Sequence, residues 1–215
     1  MPAPEVRFCR CCGAATATRI PPTEDRERAV CTACGYIDYI NPNNVVGTLP
    51  VWGGDRSGAD EPEQHWRGEQ ILLCRRAIEP RKGLWTLPAG FLEYGETMAE
   101  GAVRETREEA GARIELGPLS TVLDVPHVGQ VHVFYLARLL DLDLDPGPET
   151  TENRLVALDE IPWDELAFHT VRRTLSHYVD DCASGVFAVH TGAIELPPAR
   201  QVQPDPARSG PAVEK

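Results

Sequence analysis

The chain has 215 residues, 42% hydrophobic and 25% charged, the balance of a protein that buries a core in one medium domain with an appendage or in two small domains. Its net charge of −12 argues against bulk affinity for a nucleic-acid backbone, and no apolar run reaches the length of a membrane span. The opening "MPAPEVRFCR" carries neither an apolar core nor a cleavage signal, so the expected location is the cytoplasm.

Residues 1–40 are poor in aliphatic side chains and rich in cysteine. The chain holds seven cysteines, an odd number that suits a disulfide framework badly. Cys9 and Cys12 form one C-x-x-C pair and Cys31 and Cys34 a second, each followed by glycine (Gly13, Gly35). Two such knuckles suit one tetrahedral Zn²⁺ held by four thiolates; a redox dithiol pair is the alternative. A metal would staple a segment that has no core of its own. Cys11 reads as a spare thiol, Cys74 as core, and Cys182 as a residue of the last helix without a partner in view.

From residue 45, "VVGTLPVW" reads as a strand, and the polar, glycine-rich stretch 53–69 as an exposed hairpin loop. "QILLCRR" is a second buried strand, and "GLWTLPAG" a short one ending on Pro88 and Gly90. A glutamate-rich helix follows. "RIELGPLSTVLDV" and "QVHVFYLARLL" read as strands, "DLDLDPGPETTENR" as an acidic loop, and "RLVALDEIP" as a strand and turn. "WDELAFHTVRRTLSHYVDDCA" has helical periodicity, with Leu166, Val171, Leu175 and Val179 in register. Residues 196–215 are proline-rich and almost without apolar anchors, the composition of a disordered tail. The expected division is therefore 1–40, 41–195 and 196–215.

The glutamate helix sets the functional question, because residues 90–111 hold six glutamates. Thr97 and Glu100 make a capping box that places the helix start, and Gly111 sits where a left-handed C-terminal cap is wanted. On a helical wheel Ala99, Ala102, Val103, Thr106 and Ala110 form the core stripe. Glu105, Glu108 and Glu109 fall on the adjacent stripe. Three carboxylates within about a turn repel one another. A hard divalent cation such as Mg²⁺ or Mn²⁺ among them relieves that repulsion; a solvated acidic helix is the plain alternative. Arg104, four residues from both Glu100 and Glu108, is expected to hold an acid in place.

The spacing goes further. Gly90, five residues, Glu96, seven residues, then Arg104-Glu105-Thr106-Arg107-Glu108-Glu109-Ala110-Gly111-Ala112 resembles the Nudix box, G-x5-E-x7-R-E-U-x-E-E-x-G-U. Every charged and glycine position agrees; Thr106 and Ala112 depart from the bulky aliphatic U positions. With the cysteine pairs, the chain resembles Nudix hydrolases that carry an N-terminal zinc ribbon.

That resemblance implies an α/β/α sandwich with a mixed sheet, preceded by a small zinc ribbon at 1–40. It implies metal-dependent cleavage of the pyrophosphate in a nucleoside diphosphate derivative. FAD would give FMN and AMP, and ADP-ribose would give ribose 5-phosphate and AMP. Glu105, Glu108 and Glu109 would ligate Mg²⁺ or Mn²⁺, joined by the Ala89 or Gly90 carbonyl, while Glu96 and Arg104 would orient them. A further base is expected from the acidic loop, with Glu152 preferred and Glu149 read as a surface acid. Phe91 and His127 are candidates for contact with the base or flavin. The alternatives are an NADH pyrophosphatase, whose further downstream motif is not found, and a non-catalytic ADP-ribose-sensing regulator, which an intact box disfavours. The expected partner is a small nucleotide, with no membrane or nucleic acid, and a homodimer is compatible with the family.

Overall fold

The computed structural model describes residues 5–53 and 66–195. Most of the expected hairpin loop and the whole of the expected tail lie outside the described residues.

The N-terminal segment folds as a three-stranded antiparallel sheet of β1 (Thr16–Arg19), β2 (Arg28–Cys31) and β3 (Ile37–Asp38). Its buried side chains are few: Cys9, Pro21, Val30, Cys31 and Asp38. Strands this short were not predicted, since four-residue pairings leave no clear alternation to read. Among the described residues, no helix is long and apolar enough to cross a membrane.

The rest is built on one mixed sheet. Its strands are β4 (Asn43–Trp52), β5 (Gln70–Arg76), β6 (Trp85–Thr86), β7 (Ala89–Phe91), β8 (Ile114–Val125), β9 (Gln130–Leu139), β10 (Thr150–Ala157) and β11 (His190–Ala193). The order is β10-β5-β4-β9-β8-β11, with β6 on β5 and β7 on β4. The β4–β9 and β8–β11 pairs are parallel and the others antiparallel. Helix α1 (Met98–Ala110) covers one face and α2 (His169–Ser184) the other.

The two-residue strand period decides which side chain meets which helix. Leu72 and Cys74 pack with Ala110 and Ala112 on the α1 face. Their neighbours Ile71 and Leu73 join Val171, Leu175 and Tyr178 on the α2 face. This is the expected α/β/α sandwich.

Strand β4 is shared along one edge. Its last two residues pair with β5, and Val45–Gly47 pair with β7. The segment 85–91 therefore crosses from β5 to β4 and leaves Ala89 and Gly90 beneath α1. Gly47 permits this approach: a Cβ there would lie 2.4 Å from that of Ala89.

Three expectations need correction. The last helix starts at His169, because Trp163–Glu165 is a separate 3₁₀ turn and Phe168 is extended. Leu166 therefore lies outside it and bridges to Trp85 instead. Strand β10 begins at Thr150, which takes Glu152, Asn153 and Arg154 out of the acidic loop. Strand β11 was not anticipated; it pairs with β8 as an edge strand.

Candidate metal and phosphate site

Both expected caps close α1. Thr97 accepts from the Glu100 amide, and the Glu100 carboxylate accepts in return from the Thr97 amide at 2.8 Å. Gly111 ends the helix at φ 64°. Glu100 is thus committed to the cap and does not pair with Arg104.

The core stripe departs from the wheel at Ala99, which is only half-buried, and at Val103. Gly101, Ala102, Thr106, Glu109 and Ala110 are buried, while Val103 is 37% exposed. The helix has rolled toward Glu109, so that a carboxylate, rather than a valine, faces the sheet. Thr106, at a position where the box has a bulky aliphatic, is fully buried and satisfied. Its hydroxyl lies 2.6 Å from that of Thr48 and donates to the Ala102 carbonyl at 2.7 Å.

Around this helix the acids converge. Glu109 Oε2 accepts from the Ala89 amide at 3.0 Å. Burial pushes its carboxyl up to about 7, against the pull of the Ala89 amide, and the charge of Glu105 adds to the rise. Burial also raises Glu105, against the hydrogen bond from Arg104. Glu105 rests on Gly90, where a Cβ would come 2.3 Å from Oε2. Only glycine leaves room for that carboxylate against the β7 backbone. Glu149 contributes to the rise in both Glu105 and Glu109, so its charge lies within their field.

Arg104 is the hub on the opposite side. It donates to Glu96 at 2.7 and 3.0 Å, to Glu105 at 2.6 Å, to Glu108 at 3.0 Å and to the Phe91 carbonyl at 3.1 Å. Its guanidinium, with the Glu93 amide, holds the Glu96 carboxyl down at about 2. The structure thus brings Glu96, Arg104, Glu105, Glu108, Glu109 and Gly90 together.

Glu152 is elsewhere. It stands opposite Arg75 in the β10–β5 ladder, and its oxygens take Arg154 at 2.6 Å and Arg75 at 3.5 Å. Both guanidiniums lie over the Trp85 ring, which belongs to the α2-face core. The expected base therefore sits on the sheet face away from the helix acids. Asn153, the next residue, does face α1, and its amide donates to the Ala110 carbonyl at 2.9 Å. A bulge between Thr150 and Glu152 sets this alternation, and no local pattern announces it.

Phe91 and His127 flank the start of β4. Phe91 pairs with Val45 and is 54% exposed. His127 lies in the 3₁₀ turn Pro126–Val128, next to Gly129, whose carbonyl accepts from the Asn43 amide at 2.9 Å. The buried His127 Nδ1 has no hydrogen-bond partner among the described residues.

The cysteine knuckles are near copies of each other. Gly13 and Gly35 both have φ 73°, and their amides donate to the carbonyls of Cys9 and Cys31. Backbone amides of Cys11, Ala33 and Cys34 point at the Cys9 and Cys31 sulfurs. Sulfur separations are 3.5 Å for Cys12–Cys31 and Cys12–Cys34 and 3.7 Å for Cys9–Cys34. A tetrahedron with metal–sulfur bonds of about 2.3 Å has edges of about 3.8 Å, so the quartet fits one metal ion. Cys11 is exposed and stands outside it, while Cys74 and Cys182 are buried.

Residues 64–178 match the NUDIX domain family, which is more than half of the chain. The chain belongs to the Nudix family. Residues 7–40 match the family described as Nudix N-terminal, a zinc ribbon, so both parts are those of a ribbon-bearing Nudix protein. A Nudix hydrolase of known structure from Nitrosomonas europaea is 41% identical, covering 88% of this chain and 99% of that one, with a TM-score of 0.78. An ADP-ribose pyrophosphatase of Methanocaldococcus jannaschii is 35% identical over 47% of this chain and 62% of its own length. An NAD-capped RNA hydrolase, NudC, of Haemophilus influenzae is 34% identical over 51% of this chain and 35% of its own length. The chain thus spans less than two thirds of the curated relatives it matches.

Proposed function

We propose that the protein hydrolyses the diphosphate bridge of a nucleoside diphosphate derivative, with ADP-ribose the leading substrate and FAD the next. The observation that carries this reading is the placement of Glu105 against Gly90 and of Glu109 on the Ala89 amide, with Glu108 tied to Glu105 through Arg104. The donor set fits hard divalent cations: all ligands are oxygens, and burial raises both Glu105 and Glu109, with the charge of neighbouring carboxylates adding to the rise. When bound there, Mg²⁺ or Mn²⁺ would neutralise the bridge oxygens and make water more acidic.

The chain's own groups supply the rest. Glu105, Glu108 and Glu109, joined by a carbonyl of the Ala89–Gly90 segment, would hold the cation. Arg104, spread over three carboxylates, keeps them apart and aimed. Glu96 fixes Arg104 from behind. A base then takes a proton from water as the water oxygen attacks one phosphorus. The P–O bond of the bridge breaks, and its electrons leave on the second phosphate. For ADP-ribose the products are AMP and ribose 5-phosphate. Glu149 is the better base here: its charge reaches Glu105 and Glu109, whereas Glu152 is neutralised by Arg75 and Arg154 on the other face.

Phe91 and His127 are assigned to contact with the nucleoside or its partner group, and the four ribbon cysteines to a structural Zn²⁺. The ADP-ribose reading draws on relatives that bear that name. The relatives named NAD-capped RNA hydrolase, NudC, favour an NAD-derived diphosphate as the alternative reading. The test is a product assay with ADP-ribose, FAD, NADH and a nucleoside triphosphate, each with Mg²⁺ or Mn²⁺. AMP released from ADP-ribose or FAD, and abolished by EDTA, is the expected result. Folded protein that binds ADP-ribose but turns over none of the four would support the regulator instead.

A further inference from the structure

The last carbonyls of an α-helix have no partner inside it. In α1 the loop before β10 returns to meet them. The Asp145 amide donates to the Ala110 carbonyl at 3.0 Å, and the Gly147 amide to the Glu109 carbonyl at 3.1 Å. From β10, the Asn153 side chain adds a second donor to the Ala110 carbonyl at 2.9 Å. The fit is close: a Cβ on Gly147 would lie 1.8 Å from the Glu108 carbonyl oxygen. That atom is backbone and cannot swing aside as a side-chain tip can. Only glycine allows this approach.

The loop is also stiff. It reads Asp145-Pro146-Gly147-Pro148-Glu149. Each proline fixes its own φ and restricts the residue before it, so Asp145 to Pro148 have little freedom. Prolines carry no amide hydrogen, so Gly147 is the donor between them, and it bonds to the backbone of a helix acid. Beyond it, the Thr150 amide donates to the Gly147 carbonyl at 3.0 Å, and the Ala77 amide to the Glu149 carbonyl at 2.7 Å. Glu149 is therefore held between the last turn of α1 and the end of β5. Glu109 is the shared point, since its carboxylate takes the Ala89 amide and its carbonyl takes Gly147.

We propose that Gly147 is a positioning residue, which by seating its loop on the last turn of α1 fixes the distance of Glu149 from the helix acids. This rests on the hydrolase reading above, with Glu149 as the base. Base and metal ligands then share one rigid frame, the arrangement that holds a water ready for attack.

The test is Gly147→Ala in the full chain, alone and combined with Glu149→Gln. One readout is kcat and KM for ADP-ribose with Mg²⁺. The other is nuclear magnetic resonance broadening of the Glu149 and Thr150 amides by Mn²⁺ added to the protein. Gly147→Ala should lower kcat by about 10- to 100-fold, hold KM within about twofold, and weaken the broadening. In the Glu149→Gln background it should lower kcat no further, because a residue acting only through Glu149 has nothing left to place. An equal fall in both backgrounds overturns the proposal, as does a lower Tm with kcat unchanged. If Gly147→Ala does not fold, Pro146→Ala with Pro148→Ala decides. A loss in kcat of about threefold or more that disappears with Glu149→Gln supports the proposal, and unchanged kcat overturns it. Glu149→Gln with wild-type turnover would overturn it too, and leave the hydrolase reading standing. Wild-type protein that cleaves no diphosphate, yet shows broadening at Glu149 that Gly147→Ala weakens, would sink the hydrolase reading and support the placement.

Discussion

The two faces of the central sheet are built on different plans. Against α2 lies one continuous apolar cluster that includes Leu49, Ile71, Leu73, Trp85, Phe134, Leu175 and Tyr178. Against α1 the apolar clusters are small, one of Val46, Ala102 and Val133 and one around Leu72, Cys74 and Ala110. The α1 interface is made of small side chains, and Glu109 is buried at its edge. Gly101, Ala102, Thr106 and Ala110 bring the helix close to the sheet, so carboxylates one turn away can reach the β7 backbone. One face supplies most of the hydrophobic stabilisation, and the other gives up some of it to hold charge where water is scarce.

The strongest way to break that division is to substitute on each face and measure both stability and turnover. Leu175 is fully buried in the α2 cluster. Leu175→Ala should cost about 2–5 kcal/mol of stability in denaturant unfolding and leave kcat of the folded fraction near wild type. Glu109→Gln should do the reverse. Outer-shell partners of a metal typically account for ~10–100-fold in activity, so a ligand itself should cost at least ~100-fold, with unfolding little changed. If both variants lost both properties alike, the two-plan account would fail.

Gly90→Ala sharpens the comparison within the α1 face. The added Cβ would meet the far end of the Glu105 side chain, not backbone, so the carboxylate can swing away at small cost to folding. Turnover with Mg²⁺ should fall by about 10–100-fold while Tm moves little.

A smaller effect is expected at two matched hydroxyl pairs that tie each helix to the sheet. Thr48–Thr106 serves α1 at 2.6 Å, and Thr121–Thr174 serves α2 at 2.8 Å. Thr106→Val or Thr174→Val should each destabilise by about 1–3 kcal/mol, because the partner hydroxyl is left buried and unpaired. The double variant Thr48→Val with Thr106→Val should recover much of that loss. A double variant worse than the sum of its parts would contradict this.

The smallest effect is a pH slope on the α2 face. His132 contacts Thr170 in the first turn of α2, and burial pushes its imidazole down to about 4. Unfolded histidine titrates near 6.5, so below that pH the unfolded chain binds the extra proton and stability falls as pH drops toward 4. Between pH 7 and pH 6 the loss from this group should be roughly 0.7 kcal/mol. It should be absent in His132→Gln, as measured by urea unfolding at each pH.

Much of the α1 face was legible from residues alone. A capping box and a C-terminal glycine are short-range signals, and the Gly90 to Gly111 spacing is carried by one loop and one helix. The wheel erred at Val103 because it ranked side chains by hydrophobicity, while the helix is turned by what Glu109 and Thr106 bond to across the sheet. Glu152 shows the other limit. Whether a side chain on β5 or β10 faces the site depends on the register between strands about 75 residues apart and on a bulge. The ribbon strands and β11 escaped for the same reason: they are short, and only their partners define them.

The most direct test of the central claim is a Mn²⁺ titration, read by electron paramagnetic resonance, of wild-type protein and of the Glu105→Gln, Glu108→Gln, Glu109→Gln triple variant. Wild type should take up Mn²⁺, and the triple variant should lose that binding while keeping its fold and its cysteine-bound metal. Equal Mn²⁺ uptake by both proteins would contradict the account, because the helix acids would then not be what holds the cation.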